Sequence, residues 1–199
     1  MPVLVLVTGM PGSGKSTISR IIARELGARV YSMGDVVRRE VERRGLDVTV
    51  ENVERVAEDL RRSLGKAAVA ILLLEELKGS EEDFIVVDGV RGMEEVEVLN
   101  RLGPTCIVAV HASPLTRFRR VLARSRRGDV GGWRDLVLRD RMNLRFGIGA
   151  VIALADYIIV NEHGMEEVEE EAVRVARVIR CGKGKGCGRG GGKAYGGSG

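Results

Sequence analysis

Short apolar runs alternate along the chain with longer stretches in which apolar residues recur every three or four positions. The short runs predict strands at 3–7, 29–32, 84–88, 105–111 and 157–160. The periodic stretches predict helices at 15–26, 34–45, about 49–77 with an interruption near 65, 93–102, 114–127, 132–146 and 165–180. Wholly apolar strands that alternate with helices are typical of a parallel sheet covered on both faces. The pattern predicts a three-layer α/β/α fold with a five-stranded parallel sheet.

A glycine-rich segment, GMPGSGKS, lies between the first predicted strand and the first predicted helix. It fits the pattern G-x-x-x-x-G-K-[ST], in which backbone N–H groups and a helix N-terminus surround a polyphosphate. Lys15 can reach the β- and γ-phosphates, and the Ser16 hydroxyl can bind Mg²⁺. The alternative is a glycine turn without a ligand. We expect ATP to contact Gly9, Met10, Pro11, Gly12, Ser13, Gly14, Lys15, Ser16 and Thr17.

Asp88 ends the apolar run 84–88, so it lies at the carboxyl end of a predicted central strand. The phosphate-binding segment follows a parallel strand and emerges at the same edge of the sheet. A carboxylate there can hold Mg²⁺ next to Ser16, as the Walker B aspartate of P-loop proteins does. The alternative is a carboxylate that caps the next helix. We therefore predict a metal site formed by Ser16 and Asp88.

The 199 residues suit one domain, which we place at 1–180. Residues 181–199 are almost entirely glycine and basic residues, a composition that predicts a disordered tail. The tail could contact RNA or DNA, or it could be a solvated appendage. The three cysteines match no zinc-ligand spacing.

The first residues lead directly into the phosphate-binding segment and contain neither a basic leader nor a cleavage site. No apolar run approaches the roughly 20 residues of a membrane span. These features predict a cytoplasmic protein. Dense charges of both signs, and more arginine than lysine, are compatible with a thermophilic source.

Three further segments resemble those of nucleotide kinases. Residues 31–38, YSMGDVVR, resemble the S-T-G-D segment of adenylate kinases and, more loosely, the D-A-D-x-x-x-R-E-V segment of dephospho-CoA kinases. Residues 88–91, DGVR, resemble the D-G-F-P-R motif of adenylate kinases with one residue missing. Residues 155–161, ADYIIVN, resemble the A-D-Y-x-I-x-N signature of dephospho-CoA kinases, whose following loop lies beside the adenine.

The chain from 1 to 179 resembles throughout an archaeal P-loop kinase-like family related to adenylate kinase and dephospho-CoA kinase. G-M-P-G-S-G-K-S, the M-G-D segment and the RFGIGAVIALAD stretch at 145–156 carry this likeness. The resemblance implies that Arg38 and Arg91 bind an acceptor phosphate. It also implies that Asp35 lies near the attacking group, and that the segment 36–80 is a helical cover over the acceptor.

Arginines cluster after the fourth predicted strand, around a glycine-rich break at 128–132. A kinase must exclude water and neutralise charge on the transferred group, which arginines on a closing segment can do. We therefore interpret 124–146 as a lid and choose Arg124 and Arg127 as its catalytic arginines. The alternative for each arginine is a solvated face or an ion pair. The cluster comprises Arg117, Arg119, Arg120, Arg124, Arg126, Arg127, Arg134, Arg139, Arg141 and Arg145.

The leading hypothesis is a kinase that transfers the γ-phosphoryl group of ATP, with Mg²⁺, to a nucleoside monophosphate or dephospho-CoA. Asp35 would act as a base only if the acceptor atom is a hydroxyl, since a phosphate is already nucleophilic. The competing hypothesis is a slow ATPase with a regulatory role that binds nucleic acid through the basic tail. A net charge of only +4 argues against it as the main role. ATP or GTP preference and the oligomeric state stay open.

Overall fold

Within the residues that the structure describes, 1–124, 132–162 and 164–182, five parallel strands form one sheet. The structure is a computed structural model. The strands are β1 (Val3–Thr8), β2 (Arg29–Ser32), β3 (Phe84–Asp88), β4 (Thr105–His111) and β5 (Tyr157–Val160). The helices are α1 (Lys15–Leu26), α2 (Met33–Arg43), α3 (Val50–Leu64), α4 (Ala68–Leu77), α5 (Met93–Leu99), α6 (Pro114–Arg124), α7 (Trp133–Arg145), α8 (Ile148–Ala153) and α9 (Met165–Cys181).

The strand order is β2-β3-β1-β4-β5, which places β1 at the centre of the sheet. All four strand pairs are parallel, and Val7 of β1 lies opposite Asp88 of β3. Asp88 is also paired with Ser32, the last residue of β2. The carboxyl ends of these strands therefore meet at one edge of the sheet, where the loop from Gly9 onward begins. The predicted five-stranded parallel sheet is confirmed.

Two hydrophobic cores lie on opposite faces of the sheet because side chains alternate along β1. Leu4 and Leu6 pack with apolar residues of α2 to α5 and α8. On the other face, Val5 and its neighbours pack against α1 and α9. Every residue of β1 is buried, as a central parallel strand requires. The predicted α/β/α layering is thus confirmed, and this packing holds the ends of β1 and β3 in fixed positions.

Helices α2, α3 and α4 occupy the predicted cover segment, 36–80. The Ser32 and Thr49 hydroxyls cap α2 and α3 by accepting hydrogen bonds from backbone N–H groups. Gly65, with φ of +89°, separates α3 from α4 at the predicted interruption. The six-residue helix α8 was not predicted, because a short segment that contains Gly149 gives no clear helical period.

The last described helix, α9, lies close to its predicted bounds of 165–180. Helix α9 continues to Cys181, one residue into the predicted tail, and Gly182 follows it. The remainder of the predicted disordered tail, 183–199, lies outside the described residues. None of the helices in the described part of the chain is long and apolar enough to cross a membrane.

A buried carboxylate stabilises the cover helix α2. Glu40 accepts hydrogen bonds from Arg43 (2.6 Å between Nε and Oε2) and from Arg44 (2.8 Å between Nε and Oε1). Its side chain is only 9% exposed. The hydrogen bond from Arg43, supported by Arg44, outweighs the effect of burial and lowers the pKa of Glu40 to about 2. The ionised form is therefore favoured in the folded protein.

We expect Glu40→Gln to lower the free energy of unfolding at pH 7 by on the order of 2 kcal/mol, allowing for the exposed position of Arg43. A depressed folded pKa stabilises the protein above the unfolded value of 4.5, and this contribution is lost as the pH falls towards 2. Urea unfolding of both proteins from pH 7 to pH 2.5 measures the difference. The exposed Glu42→Gln variant is the control. A difference that stays constant over this range would contradict the assignment.

Candidate functional site

The predicted phosphate-binding loop connects β1 to α1 in the structure. Gly14 is the N-cap of α1 and has φ of +92°, and the helix begins at Lys15. Within the loop, the Ser13 N–H donates to the Met10 carbonyl oxygen (3.1 Å). No acidic residue lies in the first turn of α1, so its amide groups and positive dipole end can face an anion. The loop therefore has the geometry of a phosphate cradle.

Close contacts and positive φ values require glycine at three loop positions, and the contacts are shortest at Gly9 and Gly14. A Cβ atom on Gly9 would lie 2.4 Å from the Val110 carbonyl oxygen, and one on Gly14 would lie 2.3 Å from Asn161 Nδ2. Both glycines also have positive φ values, +151° and +92°. Any side chain would push the loop away from β4 or from Asn161. The sequence pattern thus reflects steric limits of the fold in addition to the predicted phosphate contact.

The A-D-Y-x-I-x-N motif fixes β5 beside β4 and the phosphate loop. At its start, Asp156 accepts a hydrogen bond from the Ile107 N–H (2.7 Å between Oδ2 and N). At its end, Asn161 Nδ2 donates to the Ser13 carbonyl oxygen (2.8 Å). Asn161 Oδ1 accepts in turn from Arg120 (3.1 Å). The resemblance places the loop after this motif beside the adenine, which stays a prediction. Within the motif, Asp156 supports β4 and Asn161 supports the phosphate loop.

Arg117 also supports the phosphate loop. Its guanidinium is buried, pairs with both carboxylate oxygens of Asp140 (2.8 and 2.6 Å), and donates to the Pro11 carbonyl oxygen (3.0 Å). Arg117 belongs to the arginine cluster that the sequence predicts to form a lid, and the structure shows the alternative, an ion pair. Spacing along the chain could not reveal this role because Asp140 lies on a different helix, α7.

The structure brings together the two predicted metal ligands. Ser16 Oγ donates to Asp88 Oδ2 at 2.7 Å. The second oxygen, Asp88 Oδ1, is buried and has no hydrogen-bond partner among the described residues. A buried unpaired carboxylate oxygen is costly unless a ligand satisfies it. A hydroxyl, a carboxylate and an unsatisfied oxygen fit the hard, oxygen-preferring Mg²⁺ ion.

Residues 89–91 are tied to the end of β1. The Gly89 N–H donates to the Val7 carbonyl oxygen (2.9 Å), and Thr8 Oγ1 donates to the Val90 carbonyl oxygen (2.7 Å). The Arg91 N–H then donates to Glu95 Oε2 (2.7 Å). These bonds direct the segment after Asp88 along the same sheet edge as the phosphate loop. The D-G-V-R segment is thereby placed next to the predicted donor site.

A cavity of about 400 Å³ lies between the phosphate loop and the cover helices. Lys15 and Gly12 of the phosphate loop line it, as do the predicted acceptor residues Arg38 on α2 and Arg91 after β3. The cavity wall also contains apolar side chains of α2, α3 and α7. Its other lining residues include Met33, Val37, Val53, Glu54, Ala57, Arg61, Arg139, Met142 and Phe146.

Asp35 and Arg38 form an ion pair on the first turns of α2. Their side chains are 55% and 47% exposed. The Asp35 N–H donates to Ser32 Oγ, so the carboxylate belongs to a capped helix start at the carboxyl end of β2. The structure therefore places Asp35, the predicted base, in contact with Arg38, which is predicted to bind the acceptor phosphate.

Arg91 lies among other cationic side chains. Burial lowers the pKa of its guanidinium, and Arg61 and Arg139 lower it further, while Glu95 and Glu54 act in the opposite direction. Arg61 was not among the predicted site residues. Its spacing from Val53 and Ala57, at four-residue intervals on α3, is the signal that could have identified it as facing the cavity.

The predicted lid is described only in part. Helix α6 is described as far as Arg124, and α7 begins at Trp133, whose ring packs edge-to-face on Phe118 with 5.3 Å between ring centroids. Residues 125–131, which include Arg127, lie outside the described residues, as does the side chain of Arg124. The role of these two arginines stays a prediction.

A family model described as an AAA domain matches residues 8–132. Two archaeal proteins designated UPF0200 are similar over most of their lengths. The protein of Hyperthermus butylicus is 50% identical over 172 residues, which cover 86% of this chain and 92% of the relative. The protein of Aeropyrum pernix is 51% identical over 180 residues, which cover 90% of this chain and 95% of the relative.

Solved kinase structures share the fold. Shikimate kinase from Acinetobacter baumannii in complex with shikimate has a TM-score of 0.61 and 19% identity, with 92% of this chain and 95% of that chain covered. A gluconokinase from Sinorhizobium meliloti 1021 has a TM-score of 0.56 and 20% identity, with 90% and 97% covered. At these identities the likeness establishes a common P-loop kinase fold.

Proposed function

Because the chain belongs to the UPF0200 family and has a P-loop kinase-like domain, we propose that it transfers the γ-phosphoryl group of ATP to a small nucleotide-like acceptor. One observation carries the proposal. A single cavity is lined by Lys15 of the phosphate loop and by Arg38 and Arg91. Phosphoryl transfer requires donor and acceptor to meet in such a space, shielded from bulk water.

The donor half consists of the phosphate loop and the Ser16–Asp88 pair. We expect the loop amides and Lys15 to bind the β- and γ-phosphates of ATP. Ser16 and Asp88 would hold Mg²⁺, which neutralises phosphate charge when it is bound. Asn161 and Arg117 keep the loop in position through its carbonyl oxygens. Preorganised donors of this kind lower the cost of stabilising charge in the transition state.

The acceptor half consists of the cover helices and the D-G-V-R segment. Arginines around an apolar wall suit a ligand with an anionic group and a flat or apolar body, and this supports a nucleoside monophosphate or dephospho-CoA. Arg38 and Arg91 would bind the acceptor phosphate. Asp35 would orient Arg38 for a phosphate acceptor, and would take the proton from a hydroxyl acceptor. Arg124 and Arg127 would complete the site from the lid.

Acceptor-stimulated release of ADP tests this proposal. We expect AMP, CMP, dUMP or dephospho-CoA to raise ADP release from ATP and Mg²⁺ at least about tenfold above hydrolysis by water alone. A variant truncated after Gly182 should retain this stimulation. If no acceptor stimulates turnover, and truncation instead removes binding to RNA or DNA, the regulatory alternative replaces the kinase.

A further inference from the structure

Arg61 on α3 is held rigidly at the wall of the cavity. Its Nη2 atom donates to Glu95 Oε1 (2.9 Å) and its Nη1 atom to the Ala57 carbonyl oxygen (3.2 Å). The guanidinium stacks on the Phe146 ring, 4.3 Å from the centroid. The Arg61 side chain is 11% exposed and that of Glu95 is 1% exposed. A buried carboxylate and an aromatic face thus fix one planar cation in the cavity wall.

Glu95 serves two arginines at once. One oxygen accepts from the Arg61 side chain and the other from the backbone N–H of Arg91. This carboxylate therefore sets the distance between α3 and the segment that carries Arg91. Two hydrogen bonds use only part of the five N–H donors of Arg61. Because Glu95 and the Phe146 ring hold the Arg61 side chain, its position is defined before any ligand binds. The entropy cost of orienting this side chain is therefore already met.

Arg139 on α7 lines the same cavity and pairs with a glutamate at a partly exposed position. Its Nε donates to Glu54 Oε1 at 3.0 Å, and the two side chains are 25% and 33% exposed. Partly exposed pairs of this kind contribute little net stability. Glu54 and Glu95 balance the charges of Arg61 and Arg139, and Arg91 adds a third positive charge beside them. The cavity wall therefore carries excess positive charge.

We propose that Arg61, Arg91 and Arg139 form an oxyanion subsite for the acceptor, in which Arg139 exchanges Glu54 for the incoming anion. This inference rests on the proposed function and makes it more specific. It requires the acceptor to carry a phosphate monoester or a carboxylate, which a nucleoside monophosphate has and dephospho-CoA, with only a diphosphate diester, lacks. Arg61 is the fixed element and Arg139 the adjustable one. Glu54 competes with the ligand, and it disfavours acceptors that lack an anionic group.

Equilibrium binding tests the subsite without any catalytic turnover. A nonhydrolysable ATP analogue and Mg²⁺ first occupy the phosphate loop, and AMP, adenosine and gluconate are then titrated by calorimetry. Arg61→Lys keeps the charge but loses the planar fork, and should weaken binding of the anionic probe about 10- to 100-fold. Glu54→Gln should strengthen it about 2- to 5-fold. Arg62→Ala is the matched control, because Arg62 is 78% exposed and pairs with Asp59.

AMP binding well above adenosine identifies a phosphate ligand, and gluconate binding identifies a carboxylate. The subsite is refuted if neither anion binds to the wild type, if Arg61→Lys and Arg62→Ala bind alike, or if Glu54→Gln weakens binding. Arg61-dependent binding without acceptor-stimulated ADP release would refute the kinase and leave the subsite standing. Stimulated ADP release with the same acceptor KM in wild type and Arg61→Lys would refute the subsite and support the kinase.

Discussion

Lys15→Ala should lower phosphoryl transfer about 1,000-fold and weaken ATP binding, with little change in the free energy of unfolding. Lys15 is the first residue of α1 and lines the cavity beside Gly12. In a site shielded from water, an ammonium group directed at the β- and γ-phosphates stabilises the charge that builds up during transfer. The loop amides do not depend on this side chain, so we expect residual nucleotide binding.

Three measurements on one preparation separate this effect from misfolding. Turnover is measured with the best acceptor of the panel, ATP binding by calorimetry, and unfolding by urea. Lys66→Ala is the control, because Lys66 is 73% exposed and pairs with Glu94 away from the loop. Normal ATP affinity and turnover in Lys15→Ala would show that the loop is not the ATP site.

Asp88→Asn should lower Mg²⁺-dependent turnover about 100-fold and make ATP affinity nearly independent of Mg²⁺. The amide can still accept the hydrogen bond from Ser16, so the change mainly removes the negative charge. That charge is the feature of Asp88 that suits a divalent cation, and its Oδ1 atom is buried without a partner in the described part of the chain. Since the variant retains the shape of the side chain, the fold should persist.

Calorimetric titration of ATP with and without Mg²⁺ gives a readout that does not require turnover. The wild type should bind ATP more tightly when Mg²⁺ is present, and Asp88→Asn should lose most of that gain. Asp47→Asn, at an exposed position on the cover, is the control for an aspartate-to-asparagine change. If Mg²⁺ improves ATP binding equally in Asp88→Asn and wild type, Asp88 is not a metal ligand.

The three central strands, β1, β3 and β4, could be predicted from sequence because each is a short, buried, mainly apolar run that ends in a polar residue. Burial on both faces leaves no alternation to misread, and Asp88 marks the end of β3. The phosphate loop could be predicted because its function depends on residues that are adjacent in the chain. Local chemistry and local conformation coincide there, so one segment of eight residues carries both.

The cavity wall could not be predicted in full because it depends on contacts between distant segments. Arg61 meets Glu95 and Phe146, which lie 34 and 85 positions further along the chain. The ion pair of Arg117 with Asp140 likewise joins two helices. Arginine composition cannot distinguish a buried structural guanidinium from one that binds phosphate, since both are charged and both recur at helical spacing.

Direct detection of the phosphorylated product tests the central claim, that donor and acceptor react in the cavity between the phosphate loop and α2–α4. The protein is incubated with γ-³²P-labelled ATP, Mg²⁺ and each acceptor, and the labelled products are separated and identified. We expect label on the acceptor in the wild type and none above background in Lys15→Ala. Label that appears only as inorganic phosphate, with every acceptor, would contradict the claim.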